Sequence, residues 1–196
     1  MTSTVELIKQ LRQESGAGVL DCRLALEQAN SDYTQALSIL REQAAAEAAR
    51  RAERPAAQGL LEVYSHGAGR IAVIVEVCTE TDFAARAPAV RAFAHEVALH
   101  IAAVAPAYVR DEEIPAEVLA EQAEKAAALA RSAGKPEAII PRIVEGTLAK
   151  FKERSVLLRQ ASIRDESVTI ATLLNQAIAA AGENIIINRF VRWERA

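Results

Sequence analysis

Residues 95–100 read His-Glu-Val-Ala-Leu-His, which is close to a helical zinc-binding sequence. In the zinc-binding motif the two histidines lie four positions apart, so both side chains share one face of a helix. Here five positions separate His95 from His100, and on a helix their directions differ by roughly 140°. This spacing disfavours a shared metal ion. We therefore predict two partly buried histidines and no metal site.

Four further residues supply the side-chain types of a nucleophile, two acids and a base: Cys78, Glu80, Asp82 and His95. Covalent catalysis needs the base within hydrogen-bond reach of the nucleophile, and no pattern in the sequence brings His95 to Cys78. The glycine-containing segment 15–18 lacks the length and the lysine of a nucleotide-binding P-loop. These observations predict that the protein is not an enzyme and has no cofactor.

The segment Thr81-Asp82-Phe83 lies between an apolar, strand-like segment and a strongly apolar, helix-like one. In a structural interpretation, Thr81 or Asp82 caps the following helix and Phe83 packs in the core. In a functional interpretation the aromatic ring is a binding element, because aromatic residues are only 4% of this sequence and each is a scarce source of contact area. The residues alone leave both interpretations open.

Composition excludes several function classes. The 196-residue chain has a net charge of −3 and interspersed charges of both signs, so it offers no basic surface for nucleic acid. No apolar run reaches the ~18 residues that a membrane helix needs, and the N-terminal segment has no signal-peptide pattern. The two cysteines form no C-x-x-C pair, which predicts reduced thiols. We expect a cytoplasmic protein that binds neither nucleic acid nor a membrane.

The hydrophobic spacing predicts an α+β fold in three parts. Residues 1–46 carry three apolar stripes at helical spacing, separated by a glycine turn and a polar turn, which predicts a three-helix module. Residues 47–58 are rich in Ala, Glu and Arg and predict a helical linker. Residues 59–196 predict a core module in which helices pack on a small antiparallel sheet.

Within the core module we predict a hairpin, two further strands and several helices. The hairpin covers residues 60–78, around a short glycine-containing loop. Helices are predicted at 87–104 and 168–181, and the further strands at 157–165 and 183–195.

Three segments of the chain resemble the bacterial elongation factor Ts family. Residues 6–42, with Ser-Gly-Ala-Gly between two helices, are similar to the N-terminal module of that family. Residues 75–103, with Glu-Thr-Asp-Phe at their centre, are similar to its second signature, and residues 182–194 to its C-terminal strand. The chain resembles a short form with a single core module.

The resemblance implies a ubiquitin-associated-like fold for the three-helix module and guanine nucleotide exchange on elongation factor Tu. It implies that the core reaches toward the magnesium and nucleotide site of that GTPase, and that the N-terminal module docks on the same partner. The residues implied in exchange are Thr81, Asp82 and Phe83, and those implied in docking are Arg12, Val19, Leu20, Asp21 and Arg23.

Two hypotheses accompany this interpretation. In the first, the protein is a helical adaptor that docks through residues 1–46 and has no exchange activity. In the second, the single core module is compensated by formation of a homodimer, with one core from each chain. The second hypothesis rests on chain length and on exposed-strand candidates at residues 185–193.

Overall fold

A computed structural model describes residues 4–195 of the chain. These residues form two compact units: one contains residues up to Ala102 together with those from Ala171 onward, and the other contains residues 103–170. Helices and a small antiparallel sheet confirm the predicted α+β class. In chain order the elements are α1 (Thr4–Ser15), α2 (Val19–Gln28), α3 (Tyr33–Arg51), β1 (Gln58–His66), β2 (Ile71–Thr79), α4 (Asp82–Arg86), α5 (Pro88–Val104), α6 (Ala116–Ser132), α7 (Ile140–Ser155), α8 (Ile170–Ala181) and β3 (Ile185–Glu194).

Helices α1 to α3 share one apolar core, as their stripes predict. Gly16 adopts a φ of +70° in the turn between α1 and α2, a conformation that glycine reaches without strain. Asp32 caps α3 by accepting a hydrogen bond from the backbone N–H of Gln35 at 2.8 Å. Helix α3 extends beyond the predicted module boundary to Arg51. The buried residues of this core are Leu11, Cys22, Ala25, Leu26, Ala29, Ala36, Leu37 and Leu40.

The three strands form one sheet in the order β1-β2-β3, and both neighbouring pairs are antiparallel. The predicted hairpin and the predicted C-terminal strand are therefore confirmed. Val73, Val75 and Val77 of the central strand are fully buried on one face of the sheet. Helix α5 covers this face, since its His95 bonds to Glu62, the residue that pairs with Val75 across β1 and β2.

The opposite face of the sheet carries exposed apolar side chains. Val63, Ile74 and Val191 form one row across the three strands, and Trp193 pairs with Ala72 in the row beside it. Val63 is 65% exposed and Trp193 is 60% exposed. Within the described residues this face is therefore open to solvent, although its side chains are of the kind that sheets usually bury.

The prediction of a strand at 157–165 is wrong. Residues Leu157–Arg159 form a short 3₁₀-helix, and the remaining pairing is limited to isolated bridges. Val156 and Leu157 are adjacent and both buried, whereas a strand that packs on one face buries alternate residues. Their backbone bonds to a loop instead of to a neighbouring strand: the N–H of Leu157 donates to the carbonyl oxygen of Tyr108 at 2.9 Å.

Candidate functional site

Phe83 has the highest exposed fraction among the large apolar side chains of the described residues, at 81%. It lies in the single turn of α4, directly after the strand β2. Ala84 and Ala85 on the same turn are buried and attach it to the core. The interpretation in which Phe83 packs inside the protein is therefore wrong. The local sequence places two small residues inward and one large aromatic outward.

Asp82 lies beside Phe83 at the first position of α4 and is also largely exposed. Its carboxylate accepts one hydrogen bond from Arg86, four residues later, at 2.8 Å. An exposed ion pair of this kind contributes only about 0.5 kcal/mol or less, so it is easily exchanged for another partner. Asp82 and Phe83 together therefore present an anion and an aromatic ring to solvent.

Thr81 caps α4, as one of the two structural alternatives predicts. Its hydroxyl oxygen accepts a hydrogen bond from the backbone N–H of Ala84 at 3.2 Å. The same residue donates two hydrogen bonds to Glu183, from its backbone N–H at 3.0 Å and from its hydroxyl at 2.7 Å. Thr79, which is fully buried, donates from its hydroxyl to the carbonyl oxygen of Thr81 at 2.7 Å. The backbone that enters α4 is thus held on several sides.

The turn between α8 and β3 joins this loop to the end of α3. Asn184 is buried and donates from its backbone N–H to the carboxylate of Glu80 at 2.6 Å. Its side-chain amide donates to the carbonyl oxygen of Arg54 at 2.8 Å. Arg51, the last residue of α3, donates to the carbonyl oxygen of Gly182 at 3.0 Å.

Glu183 and Asn184 were missed by reasoning from sequence. Their partners in the loop before α4 lie more than 100 positions away in the chain, at separations of 102 and 104 residues. The only local signal is the glycine before them, since Gly182 takes a φ of +70° and ends α8. That signal predicts a turn but does not reveal which loop the turn contacts.

The residues implied in docking lie around the start of α2. Val19 and Leu20 are 55% and 57% exposed, which leaves an apolar pair on the first turn of this helix. Asp21 folds back so closely that a Cβ atom on Gly18 would lie 2.9 Å from its carboxylate oxygen. Glycine at position 18 therefore leaves room for this placement of the Asp21 carboxylate.

Arg12 and Asp21 line one open cleft of about 670 Å³, together with the loop between α1 and α2. Arg23 faces solvent and forms an exposed ion pair with Glu27 at 3.5 Å. The structure thus brings Arg12 and Asp21 together and places Arg23 separately. It gathers Thr81, Asp82 and Phe83 at the start of α4.

The histidines and cysteines considered for chemistry occupy different environments. His100 is fully buried, whereas His95 is half-exposed and bonds to Glu62 at 2.8 Å. Burial raises the pKa of both thiols, Cys22 and Cys78, above the ordinary value, which disfavours the reactive thiolate. Residues 4–195 contain no group of three or more His, Cys, Asp or Glu side chains that could hold a metal ion.

Among the helices of residues 4–195, none combines the length and the apolar character that crossing a membrane requires.

Comparison with known proteins gives a consistent result over nearly the whole chain. A family model described as Elongation factor TS matches residues 4–196. The chain is 48% identical to Elongation factor Ts of Acetivibrio thermocellus over 192 residues, which cover 98% of this chain and 89% of that protein.

Two further relatives agree. Elongation factor Ts of Caldanaerobacter subterraneus subsp. tengcongensis is 48% identical, with 98% of this chain and 96% of that protein covered. Elongation factor Ts of Coprothermobacter proteolyticus is 45% identical, with 98% of each chain covered. The chain therefore belongs to the elongation factor Ts family, whose role is guanine nucleotide exchange on elongation factor Tu during translation elongation.

Proposed function

We propose that this protein promotes release of GDP from elongation factor Tu by inserting Asp82 and Phe83 near the magnesium and nucleotide site of that GTPase. The observation that carries the proposal is the 81% exposure of Phe83. The ring lies on a helical turn that is anchored by the buried Ala84 and Ala85 and capped by a hydrogen bond to Thr81. A rigid, exposed aromatic ring contributes large contact area to a partner at low conformational cost.

The proposed mechanism acts on the nucleotide indirectly. A GTPase that holds GDP with nanomolar affinity has about 12 kcal/mol of binding free energy to lose. Magnesium is the largest local charge in such a site and accepts only a narrow, near-octahedral geometry. Phe83 supplies bulk that displaces residues around the ion, and Asp82 supplies a hydrogen-bonding anion. Neither residue needs to touch GDP to weaken its binding.

Binding linkage makes this effect reciprocal. If the protein lowers the affinity of its partner for nucleotide, nucleotide lowers the affinity of the partner for the protein by the same factor. Incoming GTP therefore helps to displace the protein after GDP has left. In this mechanism no residue of the chain makes or breaks a covalent bond, no cofactor takes part, and the protein acts in the cytoplasm.

The first turn of α2 is the proposed docking surface of the N-terminal module. Val19 and Leu20 form an exposed apolar pair at the start of the helix, and the charged residues Asp21 and Arg23 follow on the same helix. Arg12 lies with Asp21 along the neighbouring cleft. Exposed apolar side chains with charged residues nearby are typical of transient protein interfaces. In this proposal the module supplies affinity, while Asp82 and Phe83 supply the effect on the nucleotide.

We also propose that the protein forms a homodimer through the open face of its sheet. Val63, Ile74, Val191 and Trp193 lie on this face, and a two-fold axis would bury the same patch on both copies. Packing of two apolar sheet faces is a common way to cover them. Sedimentation at tens of micromolar tests this proposal: Val63→Lys should give a monomer, and a wild-type monomer would contradict it.

The experiment that tests the function is stopped-flow release of a fluorescent GDP analogue from elongation factor Tu. We expect acceleration when this protein is present in substoichiometric amounts, because an exchange factor is released after each event. Binding without acceleration would contradict exchange and would instead support the helical adaptor that uses residues 1–46.

A further inference from the structure

The loop before α4 and the turn before β3 are joined by hydrogen bonds to two carboxylates, one from each segment. Glu183 of the turn accepts both the backbone N–H and the hydroxyl of Thr81, at 3.0 and 2.7 Å. In the opposite direction, Glu80 of the loop accepts the backbone N–H of Asn184 at 2.6 Å. Hydrogen bonds to an ionised acceptor are roughly twice as strong as those between neutral groups. Each segment therefore supplies one carboxylate that accepts hydrogen bonds from the other segment.

Helix α4 depends on such support because it is a single turn of five residues, Asp82–Arg86. A helix of this length is not stable on its own. Its cap is the Thr81 hydroxyl, which accepts from Ala84 while donating its hydrogen to Glu183. Glu183 thus fixes the orientation of the hydroxyl that begins the helix.

Packing contributes little to the orientation of Phe83, since most of its surface is exposed. Its direction relative to the sheet follows from the backbone at Thr81, two residues before it. Glu183 fixes two of the three polar groups of Thr81, and Thr79 binds the third, the carbonyl oxygen, at 2.7 Å. The orientation of the exposed ring is therefore set by the hydrogen bonds that hold the backbone and hydroxyl of Thr81.

We propose that Glu183 is a positioning residue for nucleotide exchange. Its carboxylate holds the N–H and hydroxyl of Thr81, so that α4 presents Asp82 and Phe83 in one fixed orientation. The inference rests on the proposed function of Asp82 and Phe83. Because Glu183 acts through Thr81, its loss changes how well the bound complex releases GDP and leaves the docking surface on α2 intact.

Three variants test this proposal. Glu183→Ala removes both acceptors, whereas Glu183→Gln keeps one carbonyl oxygen and serves as the conservative substitution. Glu121→Gln is the matched control, since Glu121 is an exposed carboxylate on α6 whose ion pair with Lys125, four residues later, is local. Each variant is titrated against elongation factor Tu loaded with a fluorescent GDP analogue, and thermal melts verify that each is folded.

For Glu183→Ala we expect the maximal release rate to fall about tenfold, because small displacements of positioned groups are costly. The half-saturating concentration should change by less than about twofold, since the docking surface is unaffected. Glu183→Gln should lie between Glu183→Ala and wild type, and Glu121→Gln should equal wild type. Unchanged maximal rates for both Glu183 variants would overturn the proposal, and so would a loss confined to the half-saturating concentration.

A second background separates failure of this inference from failure of the proposed function. If Glu183 acts through the ring, then adding Glu183→Ala to Phe83→Ala should slow release by less than it does in the wild type. Full additivity of the two effects would overturn the inference alone. If Asp82→Ala and Phe83→Ala both leave exchange unchanged, the proposed function fails, whatever Glu183 does.

Discussion

Phe83 and Phe93 lie on consecutive helices, α4 and α5, and the fold treats them in opposite ways. Phe93 is 7% exposed and belongs to the buried stripe of α5, together with Val90 and Val97. Phe83 is 81% exposed. The difference shows that two kinds of anchoring operate here: α5 is held by its large apolar side chains, whereas α4 is held by two alanines and a set of hydrogen bonds.

This difference has an energetic consequence. Burial of a phenylalanine side chain stabilises a protein by about 1.5–3 kcal/mol. The fold gains this at Phe93 and forgoes it at Phe83, although α4 directly precedes α5. Because alanines and polar contacts already hold α4, Phe83 is free to serve a partner without a large cost in stability.

The largest expected effect concerns the buried ring. Phe93→Ala should lower the free energy of unfolding by about 4 kcal/mol, because it removes a core aromatic and leaves a cavity. Chemical denaturation measures this change, and Phe83→Ala is the matched control, with a change below about 0.5 kcal/mol. Equal losses of unfolding free energy in the two variants would contradict the claim that only Phe93 of these two rings stabilises the fold.

A smaller effect is expected for the anion beside the exposed ring. Asp82→Ala should lower the maximal rate of GDP release about tenfold, or about 1.4 kcal/mol in the activation free energy. Stopped-flow titration measures the rate. Arg86→Ala, which removes the ion-pair partner of Asp82, is the control and should have little effect. A stronger loss for Arg86→Ala than for Asp82→Ala would refute the role given to the carboxylate.

The docking surface should respond in a different kinetic parameter. Leu20→Ala should raise the half-saturating concentration about fivefold, or about 1 kcal/mol, without changing the maximal rate, because it removes contact area that serves binding alone. Leu129→Ala on α6 removes a leucine that is also mostly exposed and should change neither parameter. A fall in maximal rate for Leu20→Ala would contradict the separation between docking at α2 and nucleotide release at α4.

The smallest effect concerns a carboxylate that, unlike Asp82, is fully engaged within the fold. Two hydrogen bonds from Arg159, together with one from Lys152, hold the pKa of Asp111 below its ordinary value. A lowered pKa means that this stabilisation is present above the ordinary pKa and is lost as the pH falls through the lowered one.

Asp111→Asn should therefore cost about 0.5–1 kcal/mol of unfolding free energy at pH 7. The difference from wild type should shrink in acid. Denaturation curves at pH 7 and pH 3 measure it, and a difference that grows in acid would contradict the assignment.

Local patterns predict much of this fold. The apolar stripes of α1 to α3, the long apolar run of α5 and the alternation in β2 are each visible in the sequence, because burial of a repeating face is a local property. The strand predicted at 157–165 fails because the contacts of this segment are not local. The backbone N–H of Leu157 bonds to the carbonyl oxygen of Tyr108, which lies far away in the chain.

The candidate site is predicted less completely. The resemblance to a family points to Thr81, Asp82 and Phe83, but composition leaves open whether Phe83 is buried or exposed. Its exposure depends on contacts that no local pattern contains, above all the bonds between Thr81 and Glu183. Such long-range polar contacts are decided by the assembled fold.

The most direct test of the central claim is the rate of GDP release from elongation factor Tu with Phe83→Ala at saturating concentration. We expect a maximal rate about thirtyfold below that of wild type, or about 2 kcal/mol, with the melting temperature unchanged. A maximal rate equal to wild type, in a variant that is folded and binds the partner, would contradict the claim that the exposed ring drives exchange.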